Sequence, residues 1–185
     1  MDLREAIEAG TVVGPRLSVA GHMLGATGSH ADVGGMYPGR WDLHPTEPAD
    51  GVTQVRTRVR TEHKYGGDWI KAANAGSYFD RRDDPVEVTW SDDELAALAD
   101  TARVLSMPVA VHTGSPEACK QAIRAGARCL EHAYLIDDEA LDLAEEAGVF
   151  VVPTMHMNQE DIRKYSDGEL EGQPAEKVAR DHENW

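Results

Sequence analysis

Cysteine is scarce in this sequence. There are two, Cys119 and Cys129, with no Cys-x-x-Cys spacing. A disulfide framework and a cysteine zinc site are excluded, and two buried thiols are expected instead. Basic residues are also few, 18 against 33 acidic ones, for a net charge of −15. Phosphate binding needs a basic face, so nucleic acid is not an expected partner. The acidic surplus reads as a solvated surface that aids solubility, with adaptation to high salt left open. No apolar run is long enough to cross a bilayer, and no membrane partner is expected. The opening Met1-Asp2-Leu3-Arg4-Glu5 lacks the basic and apolar regions of a signal peptide, which makes the cytoplasm the expected compartment.

What is present is a globular composition. Hydrophobic residues make up 41% and charged residues 28% of 185 positions, enough for one sizeable core. Residues 2–9 read as a helix stopped at Ala9-Gly10, and Leu17-Ser18-Val19-Ala20 as a strand. From Gly21 to about Asp50 the sequence is rich in glycine and reads as a long loop roofing a site. Asp50 is placed to cap a helix with Val52, Val55 and Val59 on one face, ended by Gly66-Gly67. Ser91-Asp92-Asp93-Glu94 has capping-box spacing and starts a helix that buries Leu95, Leu98, Ala102 and Leu105. Ser115-Pro116 and Asp137 start two more helices, closed by Ala125-Gly126 and Ala147-Gly148.

Short apolar strands lie between these helices. They are Asp68-Trp69-Ile70-Lys71, Pro108-Val109-Ala110-Val111-His112, Cys129-Leu130-Glu131-His132 and Val149-Phe150-Val151-Val152-Pro153. Apolar strands alternating with helices predict an α/β fold with a parallel sheet covered by helices. About five strands are counted, whereas a closed eight-stranded barrel needs about 250 residues. The pattern fits either a small open α/β sheet or an incomplete barrel. Residues 1–156 are expected to form these βα units, and 157–185 an acidic segment, partly helical or frayed.

Three strands end on side chains able to do chemistry: Lys71, His112 and His132. Taken singly, a strand-end lysine snorkels to solvent or pairs with a carboxylate, and a strand-end histidine is a hydrogen-bonded core or rim residue. Together they carry more. Ends of neighbouring parallel strands meet on one face, so two imidazoles and one amine converge. Imidazoles suit zinc, and a lysine carbamylated by carbon dioxide offers two oxygens able to bridge metals. The rival use of such a lysine is a Schiff base, with the histidines as acid and base.

Several segments now resemble one family: Gly14-Pro15-Arg16-Leu17, Gly21-His22, Thr27-Gly28-Ser29-His30, Asp68-Trp69-Ile70-Lys71, Val111-His112, Glu131-His132 and Val152-Pro153-Thr154. Their order and spacing, from residue 3 to about 156, resemble the imidazolonepropionase-like and prolidase-like branch of the amidohydrolase superfamily. The resemblance implies a (β/α)8 TIM-type barrel and a binuclear divalent-metal centre, usually zinc. Lys71 would be the carbamylated ligand after the fourth barrel strand, and His112 and His132 the ligands after the fifth and sixth. His30 would stand near substrate in a TGGH-like loop whose second glycine is here Ser29. Tyr78, in the loop beyond Lys71, is a second substrate-facing candidate, and His156 a further residue for the site wall.

Two family features are absent. No two of the eight histidines stand two apart, so the first-strand His-x-His pair is lacking, and no Gly-Thr-Asp-like segment supplies an eighth-strand aspartate. The expectation is therefore the central part of a barrel that retains the ligands of at most one metal. The leading reading is a metal-dependent hydrolase of C–N bonds in a dipeptide, N-acyl amino acid or cyclic amide. A second is a non-catalytic fragment that binds metal or a partner and oligomerises through open sheet edges. A Schiff-base lyase through Lys71 comes third.

Overall fold

The computed structural model of the chain describes residues 1–32, 46–77, 84–154, 164, 167 and 169. Six strands form one all-parallel sheet: β1 (Ala20–Gly25), β2 (Thr46–Pro48), β3 (Trp69–Ala73), β4 (Val109–Thr113), β5 (Cys129–His132) and β6 (Phe150–Pro153). The order across the sheet is β2-β1-β3-β4-β5-β6, so β1, β3, β4, β5 and β6 lie side by side in chain order. Five helices accompany them among the described residues: α1 (Asp2–Glu8), α2 (Gly51–Lys64), α3 (Asp92–Val104), α4 (Pro116–Ala125) and α5 (Asp138–Ala147).

The strand alternation decides between sheet and barrel. Leu24, Ile70, Ala72, Val109, Val111 and Leu130 belong to one buried cluster with Val55 and Val59 of α2, Leu95 and Leu98 of α3, Ile123 of α4 and Ala144 of α5. Every strand member of that cluster is on one face of the sheet, so all four long helices cover the same face. Lys71, Ala110 and His112 fall between these positions and face the other way. A doubly wound sheet would carry helices on both faces. One-sided cover with sequential strands is instead an open arc of a (β/α)8 barrel.

Helix ends follow the expected chemistry. Ser91 and Glu94 form the capping box of α3, the Ser115 hydroxyl accepts from the Ala118 N–H, and the Asp137 carboxylate accepts from the Ala140 N–H. Gly126 and Gly148 adopt the left-handed conformation that closes α4 and α5. Both cysteines are buried and free, as expected.

Several expectations need correction. The first strand begins where it was expected to end, running from Ala20 to Gly25. The stretch expected as one long loop contains that strand and β2. His22 is therefore not a loop residue: its Nδ1 lies 3.0 Å from Glu62 on α2. Asp50 stands at the N-terminus of α2, but its carboxylate accepts from the Thr27 N–H and hydroxyl instead of the helix. Val52 is 37% exposed, off the face that buries Val55 and Val59. Tyr78 and His156 lie outside the described residues, as does nearly all of 157–185.

Candidate active site

Chain direction brings the candidates together. Lys71 pairs in register with Ala110, Ala73 with His112, and Thr113 with His132. All the strands are parallel, so His112 and His132 lie at the C-terminal edge of the sheet. Lys71, expected at a strand end, sits mid-strand because Ala72 and Ala73 continue β3. The His112 ring lies 4.7 Å from the His30 ring and 4.8 Å from the His132 ring, centroid to centroid. His30 arrives from the turn after β1, where its N–H donates to the Ala75 carbonyl.

His132 reaches this cluster by leaving strand geometry. By alternation it would share the helix-facing side with Leu130. Instead His132 and Ala133 both have positive φ, 69° and 49°. The left-handed conformation is costly for residues with a Cβ and clusters at functional sites. Here it turns the imidazole onto His112 and places its Nδ1 2.7 Å from the Thr154 hydroxyl at the end of β6.

The same turn delivers Tyr134, which was not singled out from the sequence. Its ring stacks on His132 at 5.2 Å and 14°, and meets His112 edge-on at 6.1 Å. Two residues beyond a strand end, it carries no periodic signal. Only the paired left-handed residues before it bring it to the site.

His112 is almost fully buried, and its protonation can be deduced. Nε2 lies 3.0 Å from the Gly76 carbonyl oxygen, which can only accept, so Nε2 bears the hydrogen. Nδ1 then carries the lone pair, and it is buried with no hydrogen-bond partner. Burial drives the His112 pKa down to about 3, helped by the charges at His30, His132 and Lys71 and opposed by the Gly76 contact. The ring is a neutral base with a bare nitrogen.

The strand-end loops are built to make that contact. A Cβ on Gly76 would fall on the Asp84 backbone, and one on Gly114 on the Pro85 carbonyl. Residues 84–85 thus lie against both strand ends, which only glycine permits. The Gly76 N–H donates to the Asp84 carbonyl at 3.0 Å.

Lys71 is half-buried on the sheet face opposite the helices. Burial lowers its pKa from the ordinary lysine value, partly offset by Glu131 and Cys129. His30 is likewise lowered, by burial first and then by Lys71. Glu131 accepts from the Cys129 thiol at 3.0 Å, and burial with that neighbour pushes the thiol up to about 12.

Among the described residues no three His, Cys, Asp or Glu side chains form a ready metal site. Two histidines are available, and a third ligand would have to come from Lys71 as its carbamate. The donor set fits a divalent metal on one observation: a buried, neutral imidazole whose second nitrogen is already fixed on a backbone carbonyl. Metal-ligating histidines characteristically hold that outer hydrogen bond. Among the described residues, no helix is long and apolar enough to cross a membrane.

Comparison with known proteins identifies similar sequences and folds. Ochratoxinase of Aspergillus niger is 32% identical over 167 residues, covering 83% of this chain and 35% of that protein. A prolidase solved with N-methylphosphonate-L-proline superposes with a TM-score of 0.82 at 30% identity, over 99% of this chain and 47% of the other. A Xaa-Pro dipeptidase solved with methionine in its active site gives 0.80 at 30% identity, over 96% and 45%. The chain thus spans about a third of the curated relative and just under half of each structure. The Amidohydrolase family profile matches residues 1–171. On that match, and on the open barrel arc with its strand-end cluster, this chain belongs to the amidohydrolase family and is similar to its prolidase-like members.

Proposed function

We propose that this chain carries the Lys71, His112 and His132 side of a metal-dependent site that hydrolyses C–N bonds of the amide type. The observation that carries the reading is the bare Nδ1 of His112, buried beside two further imidazoles and locked as the Nε2–H tautomer. His112 would bind through Nδ1. His132, whose Nδ1 is engaged by Thr154, would bind through Nε2. Lys71 would complete the set as a carbamate. Its depressed pKa favours the neutral amine, which attacks the carbon of carbon dioxide, forms the N–C bond and releases one proton. Nitrogen and carboxylate-type oxygen donors suit zinc. A divalent metal held there supplies a Lewis acid that polarises the amide carbonyl and acidifies water.

The remaining groups act on substrate. His30 and Tyr134 flank the histidine cluster and would line the side from which substrate enters. Relatives described as a prolidase, a Xaa-Pro dipeptidase and an ochratoxinase make a dipeptide or an N-acyl amino acid the substrate class to assay first. Hydrolysis of Xaa-Pro dipeptides that chelator abolishes and zinc restores supports the reading. Hydrolysis indifferent to chelator and to His112→Ala overturns it.

A partner reading is favoured by edge strand β6, where Phe150 and Val152 are 59% and 46% exposed. An apolar strand with no second partner among the described residues invites association. Sizing chromatography with light scattering tests it: oligomer supports the reading, and monomer at high concentration removes it.

A further inference from the structure

The geometry points to Asn74 as the positioning residue of this site: its fully buried amide fixes the segment 74–76, which in turn holds the backbone and ring of His112 and the approach of His30. Three backbone contacts of that segment reach elements of the site. The Asn74 N–H donates to the His112 carbonyl at 3.0 Å, the Ala75 carbonyl accepts from the His30 N–H at 3.3 Å, and the Gly76 carbonyl accepts from His112 Nε2 at 3.0 Å. The segment's one polar side chain is Asn74, and it is 0% exposed.

Its amide can sit only one way. Asn74 Oδ1 accepts from the Trp90 N–H at 3.2 Å, and Asn74 Nδ2 donates to Gln121 Oε1 at 2.5 Å. Gln121 cannot turn over to accommodate a flip, because its own Nε2 donates to the Trp90 carbonyl at 3.0 Å and to Asp92 at 2.8 Å. Trp90 is pinned in turn, its indole N–H donating to the Ala49 carbonyl at 3.0 Å. The relay thus runs from α4 and the entry of α3, through one amide, to the carbonyl that selects the His112 tautomer. A position needing one donor and one acceptor in fixed places is met by asparagine. Alanine meets neither.

The metal consequence rests on the reading of His112 as a ligand, whereas the tautomer consequence does not. The test therefore measures both, in the metal-free protein by long-range 1H–15N spectra of the imidazoles and then by zinc titration. Wild-type His112 is expected as a single neutral Nε2–H tautomer. In Asn74→Ala, and in Gln121→Ala on the partly exposed face of α4, His112 should become a tautomer mixture. The zinc Kd should rise about tenfold or more, the size seen when outer hydrogen bonds of metal ligands are removed. Gln121→Ala keeps the test alive should the buried substitution fail to fold. A shifted tautomer with no zinc binding even in wild type upholds the positioning role and sinks the metal reading. An unchanged Nε2–H tautomer in the folded variants, with only a lowered Tm, overturns the proposal.

Discussion

His112 donates its Nε2–H to the carbonyl of Gly76, 36 residues earlier in the chain, at 3.0 Å. That bond joins the ends of β3 and β4 through a side chain, and it leaves the other ring nitrogen bare. Because burial holds the folded pKa near 3 against an ordinary 6.5, the unfolded chain takes up a proton that the folded one refuses. Stability from this group is fully present above about pH 6.5 and is lost as pH falls toward 3. Linkage sets the loss at up to ~5 kcal/mol. Urea midpoints across that range should fall steeply in wild type and less steeply in His112→Asn, which cannot titrate. Equal slopes would contradict the buried neutral ring.

Gly76 and Gly114 are predicted to be irreplaceable for a steric reason. Alanine at either position would place its Cβ on backbone atoms of residues 84–85, which have no flexible end to yield. Gly114→Ala should cost at least ~2 kcal/mol. It should also weaken the His112–Gly76 bond, seen as a second imidazole tautomer in the folded fraction. A stability within ~0.5 kcal/mol of wild type would show that segment 84–85 does not pack there.

Ile70 and Lys71 are chain neighbours on opposite faces, and substitution should separate them. Ile70 is fully buried against the helices, so Ile70→Ala should lose ~3 kcal/mol from the cavity it leaves. Its folded fraction should still bind zinc as wild type does. Lys71→Ala should do the reverse, losing zinc while keeping most stability. Denaturant titration paired with zinc titration reads both effects. Coupled losses in both variants would contradict the assignment of faces.

The strand-end positions of His112 and His132 were legible because each closes a short apolar run. Lys71, also read as a strand end, lies two residues before the end of β3 because small apolar Ala72 and Ala73 extend the strand. Helix starts at Ser91, Ser115 and Asp137 were legible for the same local reason, since a cap is a matter of a few adjacent residues. What local pattern could not carry was anything set by tertiary contact. Strand β1 was displaced because Gly21 and Gly25 dilute its apolar run, while its pairing with β3 is irregular between Ala20 and Met23. Strand β2 is only Thr-Glu-Pro. Tyr134 reached the site through two left-handed residues that sequence does not announce. The choice between an open sheet and a barrel arc depended on which face each helix covers. No periodicity records that.

Zinc titration of the metal-free chain at pH 8, with and without bicarbonate, tests the central claim most directly. The account predicts about one zinc per chain, bound at least tenfold more tightly with bicarbonate, with the bicarbonate effect abolished in Lys71→Ala and binding lost in His112→Ala. Zinc bound equally well by Lys71→Ala, or not bound by wild type in either buffer, would contradict it.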